Sequence, residues 1–226
     1  MQHEYFMFKN IFCRPPEDPK SAMPYPAEHR ERTRARIVDS ARRLFNRHGF
    51  ERVSIDQIMT GAGLTRGGFY HHFDSKDELY AAAVASFTTC NPFALQMAKS
   101  ERPVTDPRKL SRMLIDLYLS DEVLDDPDLH CPLYALPSDV ARAGLAPQGA
   151  YTGLIRSMAG VFAMALEGGR EGRRKAEAIV SLCVGGMVLA RTTDDPDLRN
   201  SLREAARGQA LALLGSRVTE ISSRAD

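Results

Sequence analysis

Apolar residues recur at the spacing of one helix face over most of this chain, and this spacing is the main signal for its secondary structure. In the first such segment Ile37, Ala41, Leu44 and Phe45 lie on one face, and the segment stops at Gly49, a suitable C-terminal cap. The alternation of apolar and polar residues that is typical of strands does not compete seriously with this pattern. The pattern therefore predicts an all-α protein.

Three further helices, two of them short, are predicted directly after the first one, and capping signals mark their starts. Ser54 and Gln57 have the spacing of a capping box, so a second helix begins there and ends near Gly61. Thr65 is expected to cap a third helix, and Ser75 opens a fourth, longer one. Four helices thus fit into a short stretch of chain.

The rest of the chain predicts further helices of unequal length. A helix starts at Asp106, residues 121–146 are broken into short pieces by prolines, and Tyr151–Ala165 reads as a long amphipathic helix. The segment Ala178–Ala190 is apolar or small on every side, so a helix there must be covered all round. A last helix begins at Asp195.

Residues 1–28 differ from everything that follows. They contain five of the thirteen prolines and little apolar periodicity, which predicts a disordered N-terminal arm. The longest uncharged run, residues 79–98, contains several polar residues and a proline, so no membrane span is expected. The arm is followed by helical sequence throughout.

Charge and cysteine content narrow the possible functions. The formal net charge of the 226-residue chain is +1, which excludes binding to nucleic acid or lipid by overall charge. Residues 30–79 nevertheless hold ten lysines and arginines against seven acidic residues. The arginines at 30, 32, 34 and 36 are candidates for phosphate contacts.

The four cysteines are scattered along the chain and form no CxxC pair. This content fits a reducing cytoplasm, where we expect the protein to reside.

The second and third helices flank a glycine-containing turn, which is the arrangement of a helix-turn-helix. The second helix of that motif places its first residues on base edges in the major groove of DNA. The guanidinium of Arg66 can form a bidentate hydrogen bond with a guanine, and Gly67 lets the backbone come close to DNA. Lys76, at the start of the fourth helix, can meet a phosphate. Thr65, Tyr70, His71 and His72 supply further polar groups.

Residues 63–79 read GLTRGGFYHHFDSKDEL, which resembles the signature of the TetR family of bacterial transcriptional regulators. The resemblance extends over residues 33–84. It implies a homodimeric repressor that places its third helix in a palindromic operator and is released by a small ligand. It also implies a helix-turn-helix DNA-binding domain at 29–75 and a helical ligand-binding and dimerisation domain at 76–226. By this resemblance Thr65, Arg66, Gly67, Tyr70 and His71 face bases or adjacent phosphates, and Ser54, His72 and Lys76 hold the DNA backbone.

Two further residue sets belong to the expected C-terminal domain. An apolar, unidentified effector is expected to contact a set of methionines and aromatic residues: Met113, Tyr118, Tyr151, Met158 and Phe162. A two-fold dimer is expected to form through small and apolar residues of the two long helices: Ile155, Val161, Ser181, Gly185, Gly186 and Leu189.

Catalytic and metal chemistry find little support in the sequence. His71 and His72 are neighbours on a helix and point in different directions, so we expect no metal site and no cofactor. His130 and Cys131 lack a visible orienting acid, so an inert thiol is expected, with redox sensing left open. We therefore expect no enzyme. The alternative function is a helical interaction module that reuses the helix-turn-helix without binding DNA.

Overall fold

The computed structural model describes residues 27–89, 91, 93–94, 104–166 and 168–215, and every regular element in these ranges is a helix. The all-α prediction is therefore confirmed. Residues 1–26 of the expected arm lie outside the described residues, and the first helix already begins at Ala27. Across the described ranges no helix is both long and apolar enough to cross a bilayer.

Ten α-helices and two 3₁₀ helices make up the described part of the chain. In chain order they are α1 (Ala27–His48), α2 (Ile55–Gly61), a 3₁₀ helix (Arg66–His71), α3 (Lys76–Ser86), α4 (Pro107–Tyr118), α5 (Asp121–Asp125), a 3₁₀ helix (Pro127–Leu129), α6 (Pro132–Ala135), α7 (Pro137–Arg142), α8 (Leu145–Ala163), α9 (Gly169–Thr192) and α10 (Pro196–Leu213).

Most of the capping signals act as the sequence predicts. The Ser54 hydroxyl accepts from the amide of Gln57, and the Gln57 side chain accepts from the amide of Ser54, which completes the capping box. The Asp106 carboxylate accepts from the amide of Arg108 at the start of α4, and the Asp195 carboxylate accepts from the amides of Asp197 and Leu198 at the start of α10. The Thr65 prediction is wrong in one respect, because Thr65 precedes its helix without a side-chain cap and that helix is 3₁₀.

The described residues form two compact units. Unit 1 comprises residues up to 104 together with 120–158, and unit 2 comprises 105–119 together with the residues from 159 onward.

In unit 1, α1 is the central element, and its buried face packs against α2. Ile37, Ala41 and Phe45 are completely buried on this face. The Ser40 hydroxyl donates to the Ile58 carbonyl at 2.8 Å, close to the point where the two helices approach each other. A Cβ atom at Gly61 would lie 2.5 Å from the Ser40 oxygen, so a larger residue there would displace the hydroxyl from the Ile58 carbonyl.

The C-terminal half of α1 is also bonded to the short 3₁₀ helix Pro127–Leu129 and the residue after it. Arg42 donates to the Asp128 carbonyl at 2.6 Å, and Arg47 forms an ion pair with the Asp128 carboxylate. The amide of the buried Asn46 side chain donates to the His130 carbonyl at 2.7 Å. Residues 121–142 are therefore anchored on the same helix that supports α2.

Unit 2 is built from α4, α9 and α10. One residue that was expected at the dimer interface, Gly186, lies inside this unit. Gly186 is buried, and a Cβ atom there would lie 2.7 Å from the Ala206 Cβ and 3.3 Å from a Leu119 methyl. Its small size is therefore used within the unit, where α9 approaches α10, and not at a surface for a partner. Arg203 donates to the Leu119 carbonyl, and Arg207 forms an ion pair with Asp116.

The anchoring of residues 121–142 can be tested by Asn46→Ala. We expect this substitution to lower the free energy of unfolding by about 1–3 kcal/mol, because the His130 carbonyl loses its donor in a buried place. The measurement is urea denaturation followed by circular dichroism. Arg32→Ala on the same helix is the control, since it removes an exposed ion pair with Glu28 worth about 0–1 kcal/mol. Equal losses for the two variants would contradict this interpretation.

Candidate nucleic-acid interface

The turn between α2 and the 3₁₀ helix Arg66–His71 has a defined geometry. Gly63 has a φ of 67°, a left-handed conformation that favours glycine. The amide of Gly63 donates to the Thr60 carbonyl, and that of Leu64 donates to the Met59 carbonyl. Arg36 of α1 donates to the Ala62 carbonyl at 2.6 Å. The turn is thus fixed by its own backbone and by α1.

Buried aromatic side chains hold the 3₁₀ helix in place, and an arginine donates a hydrogen bond to the carbonyl of its last residue. Phe69 and Phe73 are buried, with ring centroids 5.9 Å apart. The Arg34 guanidinium lies 4.4 Å from the centroid of the Phe73 ring. Arg30 donates to the carbonyl of His71, the last residue of the helix, at 3.1 Å. The outer side of this helix is therefore presented in one orientation.

The predicted base-facing residues are all exposed on this short helix or directly before it: Thr65, Arg66, Gly67, Tyr70 and His71. Tyr70 is 62% exposed and is held edge-on by the ring of Phe69. Apart from the backbone of the same helix and the chain neighbours, no atom of the described residues lies within 4 Å of where a Cβ would stand at Gly67, so no described contact requires glycine there. The exposed polar side chains and the backbone at Gly67 can therefore contact the same ligand.

Arg66 has a partner that the sequence analysis did not identify. Its Nη1 atom lies 2.8 Å from Oδ2 of Asp56, in the first turn of α2. The two side chains are 65% and 54% exposed. The ten-residue separation hides this pair in the sequence, because it depends on how the turn folds back.

His72 differs from the exposed His71 beside it. It is half-buried, and its pKa is lowered from the ordinary value by burial and, to a smaller degree, by the charges of Arg30, His71, Arg34 and His29. The neutral form of its imidazole is therefore favoured. It can meet a phosphate as a hydrogen-bond donor rather than as a cation.

Ser54 and Lys76, both expected to hold the DNA backbone, already have partners within the protein. The Ser54 hydroxyl caps α2. The Lys76 ammonium donates to the Phe50 carbonyl at 2.6 Å and lies 4.2 Å from the centroid of the Phe50 ring, and burial lowers its pKa. Contacts of these two residues with phosphate stay predictions.

The arginines at the start of α1 are also engaged within the protein, although the sequence analysis proposed them for phosphate contacts. Arg30 and Arg36 bond to carbonyls, and Arg34 lies on Phe73 and near Glu78. Arg32 forms an ion pair with Glu28. Much of the local basic excess therefore has a structural role.

The residues predicted to contact an effector lie in both units. Tyr118 and Phe162, both buried, and the half-buried Met113 belong to unit 2. Met158 and Tyr151 belong to unit 1, where the Tyr151 hydroxyl donates to the Leu133 carbonyl and burial raises its pKa to about 12. Two cavities of unit 1 are lined by other residues, one between α1 and α3 and one beside Phe50.

The residues predicted for the dimer interface differ in exposure. Leu189 is 51% exposed and Ile155 37%, and Ser181 is also exposed. Val161 and Gly185 are half-buried, and Gly186 is buried as described above.

Cys131, which the sequence analysis considered as a thiol, is buried. Among the described residues, no group of three or more histidine, cysteine or acidic residues is placed to hold a metal ion.

Comparison with known proteins places the helix-turn-helix among established regulators. Residues 37–83 match the family model described as bacterial regulatory proteins, tetR family. The chain is 35% identical over 98 residues to the HTH-type transcriptional regulator TtgR of Pseudomonas putida, a match that covers 43% of this chain and 46% of TtgR. It is 28% identical over 103 residues to the HTH-type transcriptional repressor AcnR of Corynebacterium efficiens, covering 42% and 53%. The chain thus spans about half the length of the curated relatives it matches.

Solved structures share the fold over more of the chain. A TetR-family transcriptional regulator from Agrobacterium tumefaciens matches with a TM-score of 0.62 and 20% identity, covering 80% of this chain and 98% of that one. The reduced form of NemR from Escherichia coli matches with a TM-score of 0.63 and 16% identity, covering 79% and 95%. At these identities the likeness concerns the fold alone.

Proposed function

This chain belongs to the TetR family of bacterial transcriptional regulators, and from that premise we propose that it is a sequence-specific DNA-binding repressor acting as a homodimer on a palindromic operator. The observation that carries this proposal is the 3₁₀ helix Arg66–His71. It presents Thr65, Arg66, Tyr70 and His71 outward from a fixed turn.

Gly67 adds independent support for a close macromolecular contact. Glycine in a helix is less favourable than alanine by roughly 1 kcal/mol, and no contact among the described residues requires it here. A backbone that must approach DNA closely explains why a side chain is absent. Arg66 then reads a base, while Thr65, Tyr70 and His71 contact bases or adjacent phosphates.

The alternative is a helical module that binds another protein through the same surface. Aromatic and arginine side chains suit either partner, so exposure alone does not separate the two functions. The salt dependence does: a DNA complex weakens steeply as salt rises, because phosphate contacts release counterions. A protein partner gives no such uniform dependence.

The dimer interface that we propose consists of the exposed residues of the two long helices, without Gly186. Ile155 on α8 and Ser181, Gly185 and Leu189 on α9 remain available, and Val161 is half-exposed. Ser181 and Gly185 allow the backbones of two helices to come close. A second copy would cover the exposed Leu189, and its two-fold symmetry would match a palindromic site.

The effector that we propose is a small apolar molecule in contact with some of Met113, Tyr118, Tyr151, Met158 and Phe162. Three of these side chains are buried, so an effector must displace packed groups in order to bind. Such a displacement is the kind of change that can alter operator binding. A ligand that favours the altered conformation must weaken the protein–DNA complex.

The test of the proposed function is selection of DNA from a random pool by the purified protein. We expect a two-fold symmetric sequence to be enriched. Arg66→Ala should weaken operator binding by about 1–3 kcal/mol and relax the preference at one base position, because a bidentate base contact is lost. Arg142→Ala, which removes an equally exposed ion-paired arginine from unit 1, is the control. If no sequence is enriched and binding does not depend on salt, the interaction module is favoured instead.

Leu189→Glu tests the proposed interface. We expect it to shift the protein from dimer to monomer in sedimentation equilibrium at micromolar concentration, because two carboxylates would be buried together. Leu145→Glu, at a position that is 87% exposed on α8, should leave the dimer intact. Gly186→Asp should instead unfold unit 2, since any Cβ there meets Ala206. A wild-type protein that sediments as a monomer would refute the interface and the palindromic operator.

The effector switch predicts a reciprocal effect between its two ligands. A candidate effector should bind free protein more tightly than the protein–operator complex, by the same factor by which it weakens operator binding. Couplings of this kind are about 1–3 kcal/mol. Isothermal titration of free and operator-bound protein measures the factor. Equal affinities in the two titrations would refute the switch and leave the DNA-binding proposal in place.

A further inference from the structure

The ion pair between Arg66 and Asp56 joins the two helices of the helix-turn-helix at their starts. Asp56 is in the first turn of α2, and Arg66 is the first residue of the 3₁₀ helix. A single contact of 2.8 Å connects Nη1 of Arg66 to Oδ2 of Asp56. The pair lies beside the turn on which the proposed DNA reading depends.

This pair contributes little to folding stability. Both side chains are more than half exposed, and exposed ion pairs are worth about 0–1 kcal/mol. The turn and the 3₁₀ helix are held by other contacts, including those of Arg36 with Ala62 and Arg30 with His71. The role of the pair therefore concerns what Arg66 binds.

Asp56 is itself held in a fixed position. The capping box of Ser54 and Gln57 sets the first turn of α2, and the next turn is fixed by Ile58, which is completely buried and whose carbonyl accepts from Ser40. A carboxylate on such a rigid turn can direct a flexible arginine. The direction of Arg66 is thus set by α2 as well as by its own helix.

The guanidinium keeps donors for a base while it is bonded to Asp56. An arginine has five N–H donors, and the contact with Asp56 is made by one nitrogen atom. The remaining donors can fork onto the O6 and N7 atoms of a guanine. Holding Asp56 and reading a base are therefore compatible.

A carboxylate beside Arg66 also changes which DNA group the arginine prefers. A free arginine is attracted to any phosphate, and phosphate contacts carry no sequence information. The negative charge of Asp56 repels phosphates and offsets the charge of Arg66, but it does not block hydrogen bonds to a base edge.

We propose that Asp56 is a specificity-determining positioning residue, which holds Arg66 for base readout and keeps it from phosphates. This inference rests on the proposed function, because it requires DNA that is bound with sequence preference. Its consequence is that loss of the Asp56 carboxylate strengthens binding to random DNA more than binding to the operator.

The experiment compares full-length wild type with Asp56→Asn, Arg66→Ala and the double variant. The affinity of each for the selected operator and for random-sequence DNA is measured by fluorescence anisotropy over a series of salt concentrations. Asp74→Asn is the matched control, since it removes one exposed acidic side chain that follows the same 3₁₀ helix. Circular dichroism melting verifies that every variant is folded.

We expect Asp56→Asn to lower the ratio of operator to random-DNA affinity by about tenfold, within the range of one base contact. In the Arg66→Ala background the same substitution should leave that ratio unchanged, since the arginine that it directs is absent. Asp74→Asn should strengthen both affinities equally and leave the ratio as in wild type.

Three results would overturn the inference: an unchanged ratio in Asp56→Asn, an equal loss in the Arg66→Ala background, or an equal loss in Asp74→Asn. In each case wild type still selects an operator, so the proposed function stands. If wild type itself enriches no sequence, both the proposed function and this inference fail.

Discussion

Hydrogen bonds from side chains of α1 to backbone carbonyls are the interaction on which the rest of unit 1 depends. Arg36 donates to Ala62 at the end of α2, and Arg30 donates to His71 at the end of the 3₁₀ helix. Arg42 donates to Asp128. These carbonyls lie at or near helix C-termini, where the partial charge is negative and cations are favoured. One helix thereby fixes the ends of three others.

This use of arginine changes the interpretation of the local charge. Counted from the sequence, the basic residues of the segment indicate phosphate binding, but several of them donate to backbone carbonyls within the protein. Lys76 does the same for Phe50. The proposed DNA contact therefore relies on a few exposed groups of the reading helix, and Arg66 is the exposed arginine among them.

The sequence predicts those parts of the structure that depend on neighbouring residues. The starts of α2, α4 and α10 follow from caps at Ser54, Asp106 and Asp195, because a cap and its partner lie within three residues. The 3₁₀ form of the reading helix, the ion pair of Asp56 and the burial of Gly186 depend on packing between distant segments. The sequence showed Ala178–Ala190 of α9 to be apolar or small on every side, but it could not show which side faces α10.

The open space at Gly67 has a consequence for how such a regulator diversifies. A Cβ atom at this position would meet no packed group of the described residues, so a side chain can appear there by one substitution without refolding the domain. On the proposed reading helix it would hold the backbone further from DNA and so change which bases the helix contacts. After gene duplication, one copy could thus acquire a different set of target promoters through a change at this residue, while both copies keep the same scaffold.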